Sequence, residues 1–476
     1  MKKTNLFFAV IFGVSLILNI MSGCASKPQT ETDGAKKEAP ADKKGESKKE
    51  PEDPPNVKFV KKLQAKLDQD DVKGAIACFE TIPASLKDDT ELMILLGSLY
   101  ISDANYDEAI NTANQVLTLE PGKMEAMELI SIAQRAKGDR KSYKATLDQI
   151  LAEDPFNVNA NIQKAEDYAL NRKWKLARDC YRKALKSDKK NMDARIGFAQ
   201  MSYYCDDVDL AKEFFQQITE EDADNATAYA YLAKISMEEE NYLKASMYSK
   251  KAIENDPKNY DYWIDYGNII RYLGKFDEAI EAWKKAISLD PTYFLGYAYC
   301  AGLYDEQNKY DQALENYLKV IETNPNYYYA YEEIAILCYH LKKYEDAIKF
   351  FNKTYEYSNS YAYKLMASAC YTKLGDKLKA KNTLAPVLKT LEKDSPEYYL
   401  VRFWYESYSK NAESSLINRI SKEENGNKRG KMLFYMGLYY ELNNFEEMAN
   451  DYYAKVTSMQ APMFFEYRIA EWGLLK

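Results

Sequence analysis

A chain of 476 residues is too long for one compact core and must either divide into domains or grow as an array. Apolar residues at 46% and charged residues at 29% describe an ordinary folded chain, and a net charge of −8 argues against a nucleic-acid surface, which needs a basic face to neutralise phosphates. Only 18 Gly and 14 Pro leave few turn signals and favour helices over short strands, while 42 Tyr is a marked excess.

The first residues read as an export signal. Lys2 and Lys3 precede an apolar run from Leu6 to Ile20, broken only by Gly13, Ser15 and Asn19. That run is shorter than the roughly 20 apolar residues of a spanning helix and fits a secretory core instead. It ends in Met21-Ser22-Gly23-Cys24, which resembles a bacterial lipobox, with Met21 where Leu is usual. The resemblance implies that residues 1–23 are a signal peptide and that the Cys24 thiol carries a diacylglycerol. Ala25, rather than Asp, after that Cys would suit sorting to an outer membrane under the enterobacterial rule. A short uncleaved signal anchor is the alternative, and either reading exports the rest of the chain. Residues 24–55 form the linker, running from Ser26-Lys27-Pro28 to Asp53-Pro54-Pro55. It has almost no apolar residues beyond Ala and cannot bury enough surface to offset the entropy of ordering. A flexible tether of about 32 residues spans roughly 30 Å. Its charges nearly balance, so the expected membrane contact is through the lipid alone.

From Asn56 the chain repeats every 34 residues. One lane runs Ala75, Ala109, Tyr143, Ala177, Ala211, Ala245, Ala279, Ala313 and Ala347. A second holds only small residues: Gly97, Ser131, Ala165, Ala199, Ala233, Gly267, Ala301 and Ala335. A third is mostly aromatic, with Tyr106, Arg140, Trp174, Val208, Tyr242, Phe276, Tyr310 and Tyr344, and a fourth is mostly Pro, with Pro121, Pro155, Lys189, Ala223, Pro257, Pro291 and Pro325. Each period therefore holds two helices. Tyr262 to Leu273 and Phe276 to Leu289 are one pair, broken at Gly274-Lys275 and ended at Asp290-Pro291, because Pro cannot continue a helix interior. Small residues on both helices allow close backbone approach, and a single hairpin must stack on neighbours to bury its apolar face.

The motif Trp263, Tyr266-Gly267, Ile270, Ala279, Trp283 and Pro291, followed by Tyr297, Cys300-Ala301, Tyr304, Ala313, Tyr317 and Pro325, resembles the tetratricopeptide repeat family. The resemblance implies an all-α, right-handed superhelical solenoid of about twelve helix-turn-helix repeats with a C-terminal capping helix. Repeats begin near Asn56, Thr90, Met124, Val158, Met192, Ala226, Tyr260, Phe294 and Tyr328, and the ninth is one residue short, so that Tyr371, Leu374-Gly375 and Ala380 stay in phase. Residues 56–396 would hold ten repeats and 397–429 a degenerate pair. Residues 430–476 would add a final repeat, with Met436-Gly437, Ala449 and Pro462, and the cap from Phe464.

Catalytic signals are sparse. His340 is the only imidazole, which excludes the multi-His sets of common zinc sites. No nucleophile elbow, zinc-protease motif or C-x-x-C pair occurs, and Gly426-Asn427-Lys428-Arg429-Gly430-Lys431 has the wrong spacing for a phosphate loop. Neither enzymatic activity, a cofactor nor a metal is expected. Beyond Cys24 the six Cys lie mostly in separate repeats and read as buried thiols, with Cys300 and Cys338 the one pair close enough to check.

By the family's geometry, the first helices of successive repeats line a concave groove. Helical spacing puts Tyr231, Lys234, Asp265, Asn268, Arg271, Tyr272, Tyr299, Asp305, Glu306, Tyr329, Glu332, Glu333 and His340 on that face. Some family members clamp a partner's C-terminal carboxylate with Lys, Asn and Arg. The matching places here hold mainly Ile, Ala, Glu and Asp, with Lys234, Asn268 and Arg271 out of pattern. Acid and Tyr instead suit a protein or peptide segment with Lys or Arg and apolar anchors. The resemblance implies a binding scaffold in assembly of an envelope, pilus or export complex. The alternative is a structural subunit of a secretion or polysaccharide-export apparatus that packs laterally, its groove unused.

Overall fold

The computed structural model describes residues 53–406, 410–460 and 462–475. The expected signal peptide, Cys24 and nearly all of the linker lie outside these residues. Among the described residues there are 25 α-helices and no strand, and none of the helices is long and apolar enough to cross a membrane. The chain forms two compact units, one ending at Glu221 and the other starting at Asp222.

The first unit holds five hairpins: α1 (Pro55–Leu67) with α2 (Val72–Cys78), α3 (Thr90–Ser102) with α4 (Tyr106–Leu119), α5 (Met124–Lys137) with α6 (Arg140–Glu153), α7 (Val158–Leu170) with α8 (Trp174–Ser187), and α9 (Met192–Tyr203) with α10 (Val208–Glu221). The second unit continues the pairing with α11 (Ala226–Glu238) and α12 (Tyr242–Asn255), α13 (Tyr260–Tyr272) and α14 (Phe276–Leu289), α15 (Leu295–Glu306) and α16 (Tyr310–Thr323), α17 (Tyr328–His340) and α18 (Tyr344–Ser358), and α19 (Tyr361–Lys373) and α20 (Lys377–Thr390). The pair α21 (Pro396–Glu406) and α22 (Lys410–Lys422) occupies the stretch expected to be degenerate. The hairpin α23 (Gly426–Leu442) and α24 (Glu446–Thr457) and a final helix α25 (Glu466–Leu474) follow it.

Two local devices recur at the period. The turn inside each of the first ten hairpins carries one left-handed residue, in the series Asp70, Ala104, Gly138, Arg172, Asp206, Glu240, Gly274, Asn308 and Lys342, then Gly375 one residue early. At the residue after it, a backbone N–H reaches back over the helix end, as from Lys275 to the Ile270 carbonyl at 3.2 Å, which satisfies a carbonyl the helix leaves open. At the other end of the period, Asn157, Asn191, Asn225 and Asn259 each cap the start of a first helix by accepting a bond from its opening N–H groups.

The small-residue lanes are where the paired helices meet. Every Ala of the first lane from Ala75 to Ala347 is fully buried, and so are Ala165, Ala199 and Ala301 opposite. Tyr143 interrupts the Ala lane and remains buried, its hydroxyl directed at the Gln163 carbonyl 3.4 Å away. Gly267 faces the fully buried indole of Trp283, and a Cβ there would run into the ring. Gly267→Ala should therefore lower stability by about 1–3 kcal/mol through overpacking, read as a shift in the urea unfolding midpoint. An unchanged midpoint would refute the tight contact.

Towards its end the second unit departs from simple stacking. Helix α23 lies directly against α19, with the Tyr435 hydroxyl donating to the Ala362 carbonyl at 2.9 Å and Lys373 paired with Glu441 at 3.0 Å. Helix α21 wedges beside both, packing Phe403 and Trp404 on Tyr439 and Tyr435. The last hairpin is thus brought back against a repeat two positions earlier.

Candidate binding groove

First helices in the second unit are laced together across one shared face. Lys234 on α11 meets Asp265 on α13 at 3.4 Å, and Arg271 on α13 pairs with Glu306 on α15. Glu332 on α17 accepts a bond from the Tyr363 hydroxyl of α19. All but Tyr363 are residues expected on the groove, and the structure uses them to join α11 to α13, α13 to α15 and α17 to α19. Burial raises the Asp265 carboxyl above the usual carboxylate range, and Lys234 opposes the rise.

Over α11 and α13 this face is open. Lys234 lies 5.5 Å from the Tyr231 ring, Asn268 is half-buried, and Tyr272 stacks on Tyr242 at 5.0 Å while remaining 62% exposed. Tyr329 on α17 is 78% exposed, its ring edge against Tyr327.

Two features close part of the face that the expected residues share. Tyr299 is stacked on Trp283 at 5.3 Å and belongs to the packing between hairpins. Asp305, Glu333 and His340 are covered by α25, which stands beside α23 as a following first helix would and also crosses towards α17 and α15. The guanidinium of Arg468 forms a two-pronged pair with Asp305, one arm at 2.7 Å, and reaches Glu333 at 3.5 Å. Trp472 lies 3.9 Å from the His340 ring and donates its indole N–H to the Tyr310 hydroxyl at 3.1 Å. Phe465, just ahead of α25, stacks on Tyr363 at 5.4 Å. Arg468 is itself sandwiched over Trp472, 4.4 Å from the ring, and Tyr310, 5.6 Å away.

The expected cap is therefore also an occupant of the groove. Sequence reasoning missed Phe465, Arg468 and Trp472. The available signal was a segment with a single Arg among Phe464, Phe465, Tyr467, Ile469 and Trp472.

Two carboxyls under α25 sit high. Burial pushes Glu333 up to about 7, aided by the charge of Asp305 and opposed by Arg468. Glu466, with no exposed surface, is also raised to about 7 by burial, against the pull of Lys431 and a bond from Tyr435 and with a further push from Glu332. Both exceed the ordinary value of 4.5, and because Glu466 is carried by α25 and returns to water on release, the docked state holds a proton on Glu466 that the released state gives up. Docking is strongest below about pH 4.5 and weakens as pH climbs through 7. Amides of α25, corrected for intrinsic exchange, should be better protected at pH 5.5 than at pH 7.5, and Glu466→Gln should flatten that difference. Equal protection at both values would contradict the assignment.

All six described Cys are free thiols, Cys300 and Cys338 included, and burial raises both of those to about 12. Among the described residues no cluster of three His, Cys, Asp or Glu side chains is placed to hold a metal ion.

Serial hairpins with a laced inner face define a helical-repeat scaffold. More particularly, family models described as tetratricopeptide repeat match residues 90–123, 248–281 and 301–362, and one described as TPR repeat matches residues 267–308, so the hairpins in those stretches are repeats of that type. No curated protein matches the chain. Among solved structures, a crystal structure of MamA is 24% identical over 33% of this chain and 92% of its own, with a TM-score of 0.32. Pseudomonas aeruginosa PilF is 14% identical over 46% of this chain and 99% of its own, with a TM-score of 0.41. The Cut9–Hcn1 hetero-tetramer of the APC/C matches at 14% identity over 88% of this chain and 90% of that one, with a TM-score of 0.41.

Proposed function

We propose that the chain is an exported, lipid-anchored scaffold that holds a segment of another protein on the open face of α11, α13 and the end of α15. One observation carries the reading. Tyr231, Lys234, Asn268, Arg271, Tyr272 and Glu306 remain partly or largely exposed there, whereas the matching face of α15 and α17 is filled from within the unit. Tyrosine offers wide contact area with a hydroxyl to spare, and the acid–base ladder offers charged groups that a partner can engage by replacing one rung. The anchor follows from the lipobox-like ending at Cys24, and the setting it suggests is assembly of an envelope, pilus or export complex.

Arg271→Ala, Tyr272→Ala and Glu306→Ala combined should abolish crosslinks from this face to its partner in intact cells, read by mass spectrometry, while leaving the helical content unchanged. Tyr299 is left out because it supports Trp283. Retention of every crosslink would refute the groove reading. One observation favours lateral packing instead: Leu243 and Met247, one turn apart on α12, are 70% and 69% exposed. Loss of crosslinks on changing those two residues to Asp, but not in the triple variant, would favour that arrangement.

The anchor has its own test. Cys24→Ser should release the chain from membranes or block processing. Unchanged membrane association with an intact N-terminus would overturn the lipoprotein reading in favour of a signal anchor.

A further inference from the structure

The face built by α15, α17 and α19 is already holding a helix, and that helix shows what the face selects. Along α25 the contacts come at residues 465, 468 and 472, a spacing that puts all three on one side of a helix. Phe465 meets Tyr363, Arg468 meets Asp305 and Glu333, and Trp472 meets Tyr310 and His340. An aromatic at each end flanks a cation at the middle, opposed in turn by one ring, two carboxylates and a pair of rings. Apart from Tyr310, at the start of α16, the groups are spread over the three successive first helices α15, α17 and α19.

The hold of α25 is local and incomplete. It has nine residues, fewer than an isolated helix needs to persist in water. One carboxylate oxygen of Glu466 is buried without a hydrogen-bond partner, a standing penalty for the docked state that release into water removes. Arg468 and Trp472 supply the polar contacts to this face, while Ile469 and Ala470 are buried in the adjoining core, so a partner helix presenting the same groups must outcompete a tethered one.

We propose that α25 is an internal stand-in for a partner helix. The face of α15, α17 and α19 would be a second binding site, taking from another protein a helix that presents an aromatic residue, an Arg three positions on and a Trp four positions beyond that. The inference rests on the scaffold reading above and adds the class of partner and the element that must leave before it binds.

The test uses the full chain and, as probe, a fluorescent peptide with the sequence of residues 462–476. Arg468→Glu repels Asp305 and Glu333 and frees α25 while keeping the receptor face. Asp305→Asn with Glu333→Gln also frees α25 but removes the acids that hold the probe. The Arg468→Glu chain should bind the peptide at least tenfold more tightly than wild type, and the double variant should not gain that affinity. Hydrogen exchange reports whether α25 is released in each chain, and circular dichroism whether the repeats remain folded. Release in the Arg468→Glu chain without gain of peptide binding overturns the proposal. Full protection of α25 in that chain also overturns it, since the Arg468 pair would then not hold the helix. Neither result touches crosslinking at Arg271, Tyr272 and Glu306, so this inference and the reading beneath it fail separately.

Discussion

The architecture depends on a steric constraint: two helix backbones in each hairpin must approach closely, and only small side chains permit it. The buried Ala lane from Ala75 to Ala347 and the opposing Gly, Ser and Ala positions are the imprint of that approach. Once the hairpin is closed, larger residues such as Trp283 and Phe351 fill the space between successive hairpins and are fully buried there. Stability then accumulates between neighbours, so no compact centre is required for a chain of this length.

Much of this was legible before any coordinates because it is local. Ala at a fixed step, Pro after the second helix and an aromatic at its start each have a cause within one hairpin or between adjacent ones. Two further lanes run at the same step: the Asn residues that cap α7, α9, α11 and α13 are visible in the sequence, whereas the left-handed position passes through Gly138 and Gly274 but also through Arg172 and Glu240. Side-chain types at the latter vary so widely that its backbone role leaves no compositional trace.

The return of α25 was not legible, for a geometric reason. Asp305 and Arg468 are 163 residues apart, and their meeting depends on the rotation between hairpins summed over several steps. Helical period tells which side of α17 Glu333 occupies but not what arrives to cover it. Tyr299 shows the same limit on a smaller scale: its face was readable, its stacking partner on the preceding hairpin was not. The acids of the strip therefore divide by context. Glu306 pairs with its neighbour on α13 and stays in water, while Asp305, the residue before it, is claimed by a distant guanidinium.

The one-residue shortening of the ninth repeat takes on a meaning of its own. Connectors such as residues 154–157, 256–259 and 324–327 have four residues, whereas α18 and α19 are joined by residues 359–360 alone, with Asn359 left-handed at the junction. The departure from even stacking begins just beyond that joint, where α23 comes to lie on α19. Chain length between hairpins thus acts as a steering parameter: a deletion too small to disturb any helix can redirect every helix after it. In such an array, an insertion or deletion at a joint changes the path of the whole downstream chain, whereas a substitution in a helix changes only its own neighbourhood.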